Sequence, residues 1–231
     1  MANQSAPQEG QSPQPALAQG SYAYQLFLPR GYGASGDQRW PLLIFLHGAG
    51  ERGSDLDLVK IHGPPKIAAD RPGVPFVTVS PQLPAGSPGW DVATLDAMLD
   101  TLVERLRVDP DRIYLTGLSM GGHGVFKWAA ARPDRFAAIA PVCGRGDTAT
   151  ACRIKDLPAW AFHGDSDDIV PPSGSFDMVE AIRECGGDPR LTIYPATGHD
   201  SWTPAYDDPA LYQWLLEQRR SPVPPQEKQS K

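Results

Sequence analysis

Short apolar runs of strand character recur along the chain between turn signals, at residues 22–28, 42–46, 76–79, 113–115, 136–142, 159–162 and 191–194. The later runs are nearly continuous in hydrophobic residues. That is the mark of strands covered on both faces, and so of a mostly parallel sheet between helices. Helical patterns lie between the runs. In Val92, Leu95, Met98, Leu99, Leu102, Val103 and Leu106 the spacing puts every side chain on one helix face. A second helix is expected over about residues 121–131, ending before Pro133. A third carries Phe176, Val179, Ile182 and Cys185 on one face and stops at Gly186-Gly187. A fourth begins at Asp208-Pro209, a cap followed by proline in the first turn, and buries Leu211, Trp214 and Leu215. The alternation predicts a single α/β domain over residues 21–219, with a mostly parallel central sheet and helices on both faces. Residues 1–20 and 220–231 are polar and rich in Gln, Pro, Ser or Lys, and read as tails, the first of them disordered.

Composition narrows the function classes. At 231 residues the chain is long enough for one sizeable core, and 41% hydrophobic with 21% charged residues fits a soluble globular protein. A formal net charge of -6 offers no basic face for nucleic acid. No run approaches the ~20 apolar residues that a membrane helix needs. The N-terminal segment has neither a basic start nor an apolar stretch of signal-peptide type, which favours a cytoplasmic location. Pro15-Ala16-Leu17-Ala18 does resemble the small-residue end of a secretion signal, so export stays open. Cys143, Cys152 and Cys185 lack metal-ligand spacing and read as buried or idle thiols. A bridge between Cys143 and Cys152, which flank one loop, stays open for an oxidising compartment.

The candidate chemistry begins at Gly117-Leu118-Ser119-Met120-Gly121, a G-x-S-x-G pattern directly after the strand-like run 112–116. At the end of a strand this reads as a nucleophile elbow, with small residues two positions either side of the serine. Serine is a poor nucleophile until a base takes its proton, and the base needs a third group to hold its tautomer. Both partners are expected at the carboxyl ends of later strands, where ligands bind an open α/β sheet. His199 follows the run 191–194 through a short turn and is the only histidine after the last acid-bearing strand, so it is the expected base. The acid is expected in the loop after residues 159–162, where Asp165, Asp167 and Asp168 compete. The order Ser, Asp, His is that of the α/β hydrolases. The first oxyanion donor is expected at the amide of Met120, the residue after the nucleophile; such donors supply about 3 kcal/mol apiece of transition-state stabilisation. The second is expected in the loop after residues 42–46.

Over most of its length the chain resembles a serine hydrolase of the α/β-hydrolase superfamily. More narrowly, Leu46-His47-Gly48-Ala49-Gly50-Glu51-Arg52-Gly53, the segment from Asp109 to Gly122, and Gly198-His199 with Trp202 resemble the small esterases grouped with phospholipase/carboxylesterases and dienelactone hydrolases, relatives of feruloyl esterases. The acid loop of that group, H-G-x-x-D-x-x-V-P, fits His163, Gly164, Asp167, Val170 and Pro171. The resemblance therefore implies Asp167 as the acid and Ala49 as the second oxyanion donor, with Gly50 as the fallback.

His47 and His163 read as hydrogen-bonded loop anchors rather than catalysts. Glu51 and Arg52 read as a pair bracing the oxyanion loop, with Gly50 beside the substrate. Trp90, Trp202 and Tyr206 fall in loops next to these elements and are expected to wall the pocket, whereas Trp128 is expected in the core. The connection from Cys143 to Asp156 is too short for a helical cap, which predicts an open site. The sum is a serine carboxylesterase acting on short-chain or aryl esters, small or polymer-linked, with no cofactor and no metal. Its oligomeric state is left open. The competing readings are a serine peptidase of the same fold and a non-catalytic binding module built on it.

Overall fold

The computed structural model describes residues 9–34, 36–70 and 74–220. Among them are eight strands: β1 (Gly10–Gln14), β2 (Tyr24–Leu28), β3 (Trp40–Leu46), β4 (Val77–Pro81), β5 (Val108–Leu118), β6 (Ala138–Val142), β7 (Trp160–Gly164) and β8 (Arg190–Tyr194). They form one sheet in the order β1-β2-β4-β3-β5-β6-β7-β8. The pairings from β4 through β8 are parallel, while β1 and β2 add an antiparallel edge. The helices are α1 (Gly63–Asp70), α2 (Val92–Arg105), α3 (Met120–Ala131), α4 (Ser173–Glu184), α5 (Trp202–Asp207) and α6 (Pro209–Glu217).

The two-residue period of β3 divides the core. Leu42, Ile44 and Leu46 face a cluster shared with Leu95 and Leu99 of α2, Val125 and Phe126 of α3, and Met178 and Ile182 of α4. Leu43 and Phe45 face the other side, against Ile67 of α1, Tyr206 of α5, and Leu211 and Trp214 of α6. Every residue of β3 is buried, as a strand covered on both faces requires. Trp128 is 1% exposed and packs edge-on against Phe136, in the core as expected. Asp208 caps α6 by accepting the Ala210 N–H, and Asp91 caps α2 by accepting the Thr94 N–H.

The structure departs from the sequence reading at the amino end. Gly10–Gln14 pairs in register with Tyr24–Leu28, Leu17 packs on the core, and the Glu9 carboxylate accepts the N–H groups of Gly31 and Gly33 at 2.8 and 3.3 Å. A strand at a sheet edge is held by its backbone ladder and needs no apolar alternation, so the polar sequence concealed it. Residues 1–8 and 221–231, the remainder of the expected tails, lie outside the described residues.

The cysteines also pair differently. Cys152 is bonded to Cys185, while Cys143 is buried and free. The crossover from β6 to β7 folds its 3-10 helix, Thr148–Ile154, against α4, which brings Cys152 to the end of that helix. Cys143, immediately after β6, is instead held inside against the elbow. The bridge closes a separation of 33 residues. Reducing it is expected to cost about 3 kcal/mol of stability and lower Tm by roughly 6–12 °C. Thermal unfolding with and without dithiothreitol, and of Cys152→Ser, measures this; an unchanged Tm in both would show that the bridge does not support the fold.

Candidate active site

The elbow is built by contact between backbones. Ser119 has φ 53° and ψ -117°, a conformation that costs a non-glycine residue of order 1–3 kcal/mol and persists only where its surroundings over-determine it. Here they do. Its amide donates to the Val142 carbonyl at 3.0 Å and lies 3.3 Å from the Cys143 sulfur, while α3 runs so close to β3 that a Cβ on Gly121 would be driven into the Leu46 carbonyl. Ser119 occupies the N-cap position of α3, yet its hydroxyl makes no cap bond. The hydroxyl is turned to His199 instead, at 2.9 Å from Nε2.

The expected base and acid, His199 and Asp167, arrive on neighbouring strand ends. A Cβ on Gly164 would collide with the carbonyls of Thr197 and Gly198, so β7 can end directly against the turn that carries His199. Asp165 and Ser166 donate their N–H groups to Tyr194 and Thr197 across this contact. The result is a chain of bonds: Asp167 Oδ2 lies 2.8 Å from His199 Nδ1, and Asp167 Oδ1 accepts the N–H groups of Ile169 and Val170 at 3.0 and 2.9 Å. Facing a carboxylate, Nδ1 carries the proton, which leaves Nε2 free to accept from the serine.

Burial by itself would push the Asp167 carboxyl up, but the bonds from His199, Val170 and Ile169 outweigh it and hold the group below the usual carboxylate range. Burial pushes the Cys143 thiol up to about 12, so the sulfur beside the elbow stays protonated and does not compete as a nucleophile.

Met120 begins α3, so its N–H has no acceptor one turn back within the helix. Ala49 begins a 3-10 turn, Ala49–Glu51, and both it and Gly50 are exposed. Arg52 braces this turn by donating to the carbonyls of Ala49 and Ser87 at 3.0 and 2.9 Å. It does not pair with Glu51. The Glu51 carboxylate is buried 3.7 Å from both His47 and His62, and although burial opposes it, those two rings hold the group below its ordinary value. His47 accepts the Leu83 N–H on Nε2 and therefore bears its proton on Nδ1, 2.6 Å from the Gly48 carbonyl; it anchors the loop as expected.

The three aromatic side chains separate. Trp202 is half-buried with its ring edge-on to His199 at 5.3 Å and tilted against His62 at 5.4 Å, beside the triad-like chain. Trp90 is 3% exposed, enclosed by Tyr22 and His47, and Tyr206 is 1% exposed with its hydroxyl 3.0 Å from that of Thr116. Neither walls a cleft. Sequence position predicts both in loops next to the site elements, but their rings turn inward to fill the two cores. A cleft of about 400 Å³ opens instead beside α3, lined by His123, Phe126, Lys127, Arg145, Asp147 and Arg153. His123 accepts the Arg145 N–H on Nδ1 at 2.9 Å. The sequence carries no local sign of this cleft, because its walls come from a helix and a crossover loop that touch only in the folded chain.

Residues 89–208 match the sequence profile of the dienelactone hydrolase family. The putative esterase NocK of Nocardia uniformis subsp. tsuyamanensis is 32% identical over 166 residues, covering 66% of this chain and 47% of its own. The bifunctional acetylxylan esterase/xylanase XynS20E of Neocallimastix patriciarum is 29% identical over 148 residues, 62% of this chain and 21% of its own. The chain thus spans about half the length, or less, of these curated relatives. Among solved structures, a thermostable esterase superposes with a TM-score of 0.74 at 33% identity over 86% of this chain and 59% of its own. A ferulic acid esterase gives 0.66 at 19% identity over 89% and 95%. The fold is the α/β-hydrolase fold.

The bonds to Asp167 link stability to pH. With its folded value below the ordinary one, the group contributes stability that is complete above the unfolded value of about 3.9 and is lost as pH falls through the lowered folded value. Denaturant unfolding between pH 5 and pH 2 is expected to show a steeper acid loss for the wild type than for Asp167→Asn. Parallel curves would remove Asp167 from the acid transition.

Proposed function

The chain belongs to the dienelactone hydrolase family, and from that membership and the geometry at Ser119 we propose that it is a serine carboxylesterase acting on short-chain or aryl esters. One observation carries the reading: a serine hydroxyl on a strained elbow, 2.9 Å from an imidazole nitrogen whose ring is tied at 2.8 Å to a carboxylate. His199 takes the Ser119 proton as the oxygen attacks the ester carbonyl, and returns it to the departing alcohol. Water, deprotonated by the same ring, then releases the acid from the acyl-serine. Asp167 keeps the ring oriented and stabilises the imidazolium. The amides of Met120 and Ala49 receive the oxyanion; each residue opens a helical turn, where an N–H has no acceptor within the turn, which supports this.

Trp202 walls the reacting centre, with Gly50 beside the substrate path. The β6–β7 crossover supports an accessible site, since its one helical element is the 3-10 helix Thr148–Ile154, stapled to α4. Such a site suits soluble or polymer-linked esters better than long-chain fats at an interface. The names of the relatives, among them an acetylxylan esterase and feruloyl esterases, agree with that substrate class.

Ser119→Ala is expected to lose roughly 10⁴–10⁶-fold in kcat on p-nitrophenyl butyrate and all labelling by a fluorophosphonate probe, with Tm retained. A wild type that neither labels nor hydrolyses would replace the enzyme reading with a binding module. Rates are expected to fall from butyrate to palmitate esters, and to be far lower on the matching butyryl anilide. A rise at the micellar threshold of long-chain esters would defeat the substrate class, and equal anilide turnover would favour a peptidase.

A further inference from the structure

Behind Asp167 lies a second imidazole. His163 is fully buried at the end of β7, and its Nε2 lies 3.1 Å from Asp167 Oδ2, the same oxygen that His199 Nδ1 reaches at 2.8 Å. We propose that His163 is a positioning residue: by sharing this oxygen it fixes the carboxylate and restrains how strongly His199 binds a proton. The inference rests on the catalytic reading of Ser119, His199 and Asp167 given above.

The tautomer follows from the partners. Nε2 of His163 faces two acceptors, Asp167 Oδ2 and the Val170 carbonyl at 2.9 Å, so it must carry hydrogen. Nδ1 lies 2.7 Å from the hydroxyl of Ser175, a fully buried residue of α4, and that hydroxyl lies 3.1 Å from the Gly144 carbonyl. The single Ser175 proton goes either to the Gly144 carbonyl or to Nδ1; in both arrangements the ring is anchored on α4 and Nε2 is the donor to Oδ2. The carboxylate of Asp167 then accepts four N–H groups, two on each oxygen, and has no freedom to rotate.

The two imidazoles are not equivalent in effect. A donor on Oδ2 draws negative charge from the oxygen that steadies His199, and because the side chains of His163 and Asp167 are both fully buried, that pull is weakly screened. Removing it strengthens the Asp167–His199 bond and favours the imidazolium, while also loosening the carboxylate. Substitution at His163 leaves the other titratable groups around the pair in place: His123 on α3, held below its ordinary value by burial and by the charges of Arg145 and His199; Cys143 at the end of β6, a neutral thiol facing Asp167; and Asp200, next to His199 in sequence. A change in the pH profile therefore reports the shared oxygen.

The test uses kcat/KM for p-nitrophenyl butyrate against pH in the wild type, His163→Leu and His163→Gln. The leucine variant is expected to lose roughly 10–100-fold in kcat with KM within about twofold, and its acid limb to move up by about 0.5 pH unit. Glutamine reaches Oδ2 with an amide donor and is expected to restore the acid limb and most of kcat. A folded leucine variant with the wild-type acid limb overturns the proposal, as does a glutamine variant no better than leucine. Nitrogen-15 NMR of the wild-type imidazoles keeps the question decidable if the leucine variant fails to fold. The His163 signals are expected to show an Nε2–H tautomer and to shift as His199 titrates; the reverse tautomer, or signals flat across that titration, overturns it. A wild type without esterase activity or probe labelling would instead defeat the catalytic reading itself.

Discussion

The site depends on how closely α3 can approach β3. Where the Leu46 carbonyl meets Gly121 there is no room for a single methyl group, and that contact holds the chain in the turn that gives Ser119 a φ of 53°. The strain at the serine is offset by the packing of the layers on either side of the sheet, since both clusters draw on β3 and β5. Neither the helix nor the strand can shift without exposing a core face. The serine hydroxyl is thus delivered to a fixed point in space by parts of the molecule that perform no chemistry.

From that point the remaining groups are placed by adjacency of strand ends. β7 and β8 are neighbours in the sheet, and their parallel register sets Gly164 opposite Tyr194, so the loops that follow them start side by side. Asp167 and His199, 32 residues apart in sequence, meet because of that register. The backbone amides of Ile169 and Val170 then hold the buried Asp167 carboxylate as an anion, at a place where an unpaired charge would cost several kcal/mol. The same logic extends inward through His163 and Ser175 to α4, so the Asp167 carboxylate is braced from the helix layer as well as from its own loop.

The same helix, α4, also holds the β6–β7 crossover, through the bridge between Cys152 and Cys185. This fixes one wall of the cleft beside α3, which contains Lys127, Arg145 and Arg153 in a chain whose net charge is -6. A covalent tie at this place limits how far the crossover can move over the site.

Much was legible in the residues themselves wherever the physics is local. Nearly continuous apolar runs marked the buried strands, the cap and proline at Asp208-Pro209 marked the start of α6, and the spacing around Ser119 marked a turn that only small neighbours permit. Resemblance narrowed three competing aspartates to Asp167. What escaped was set by contacts between distant segments. Trp90 and Tyr206 turned into the cores, Cys152 found Cys185 instead of Cys143, and Gly10–Gln14 joined the sheet through backbone bonds that carry no side-chain signature. Periodicity, caps and turns are properties of a few consecutive residues and can be read along the chain. The direction of a ring or the partner of a thiol depends on which surfaces meet after folding, and so only the tertiary structure decided them.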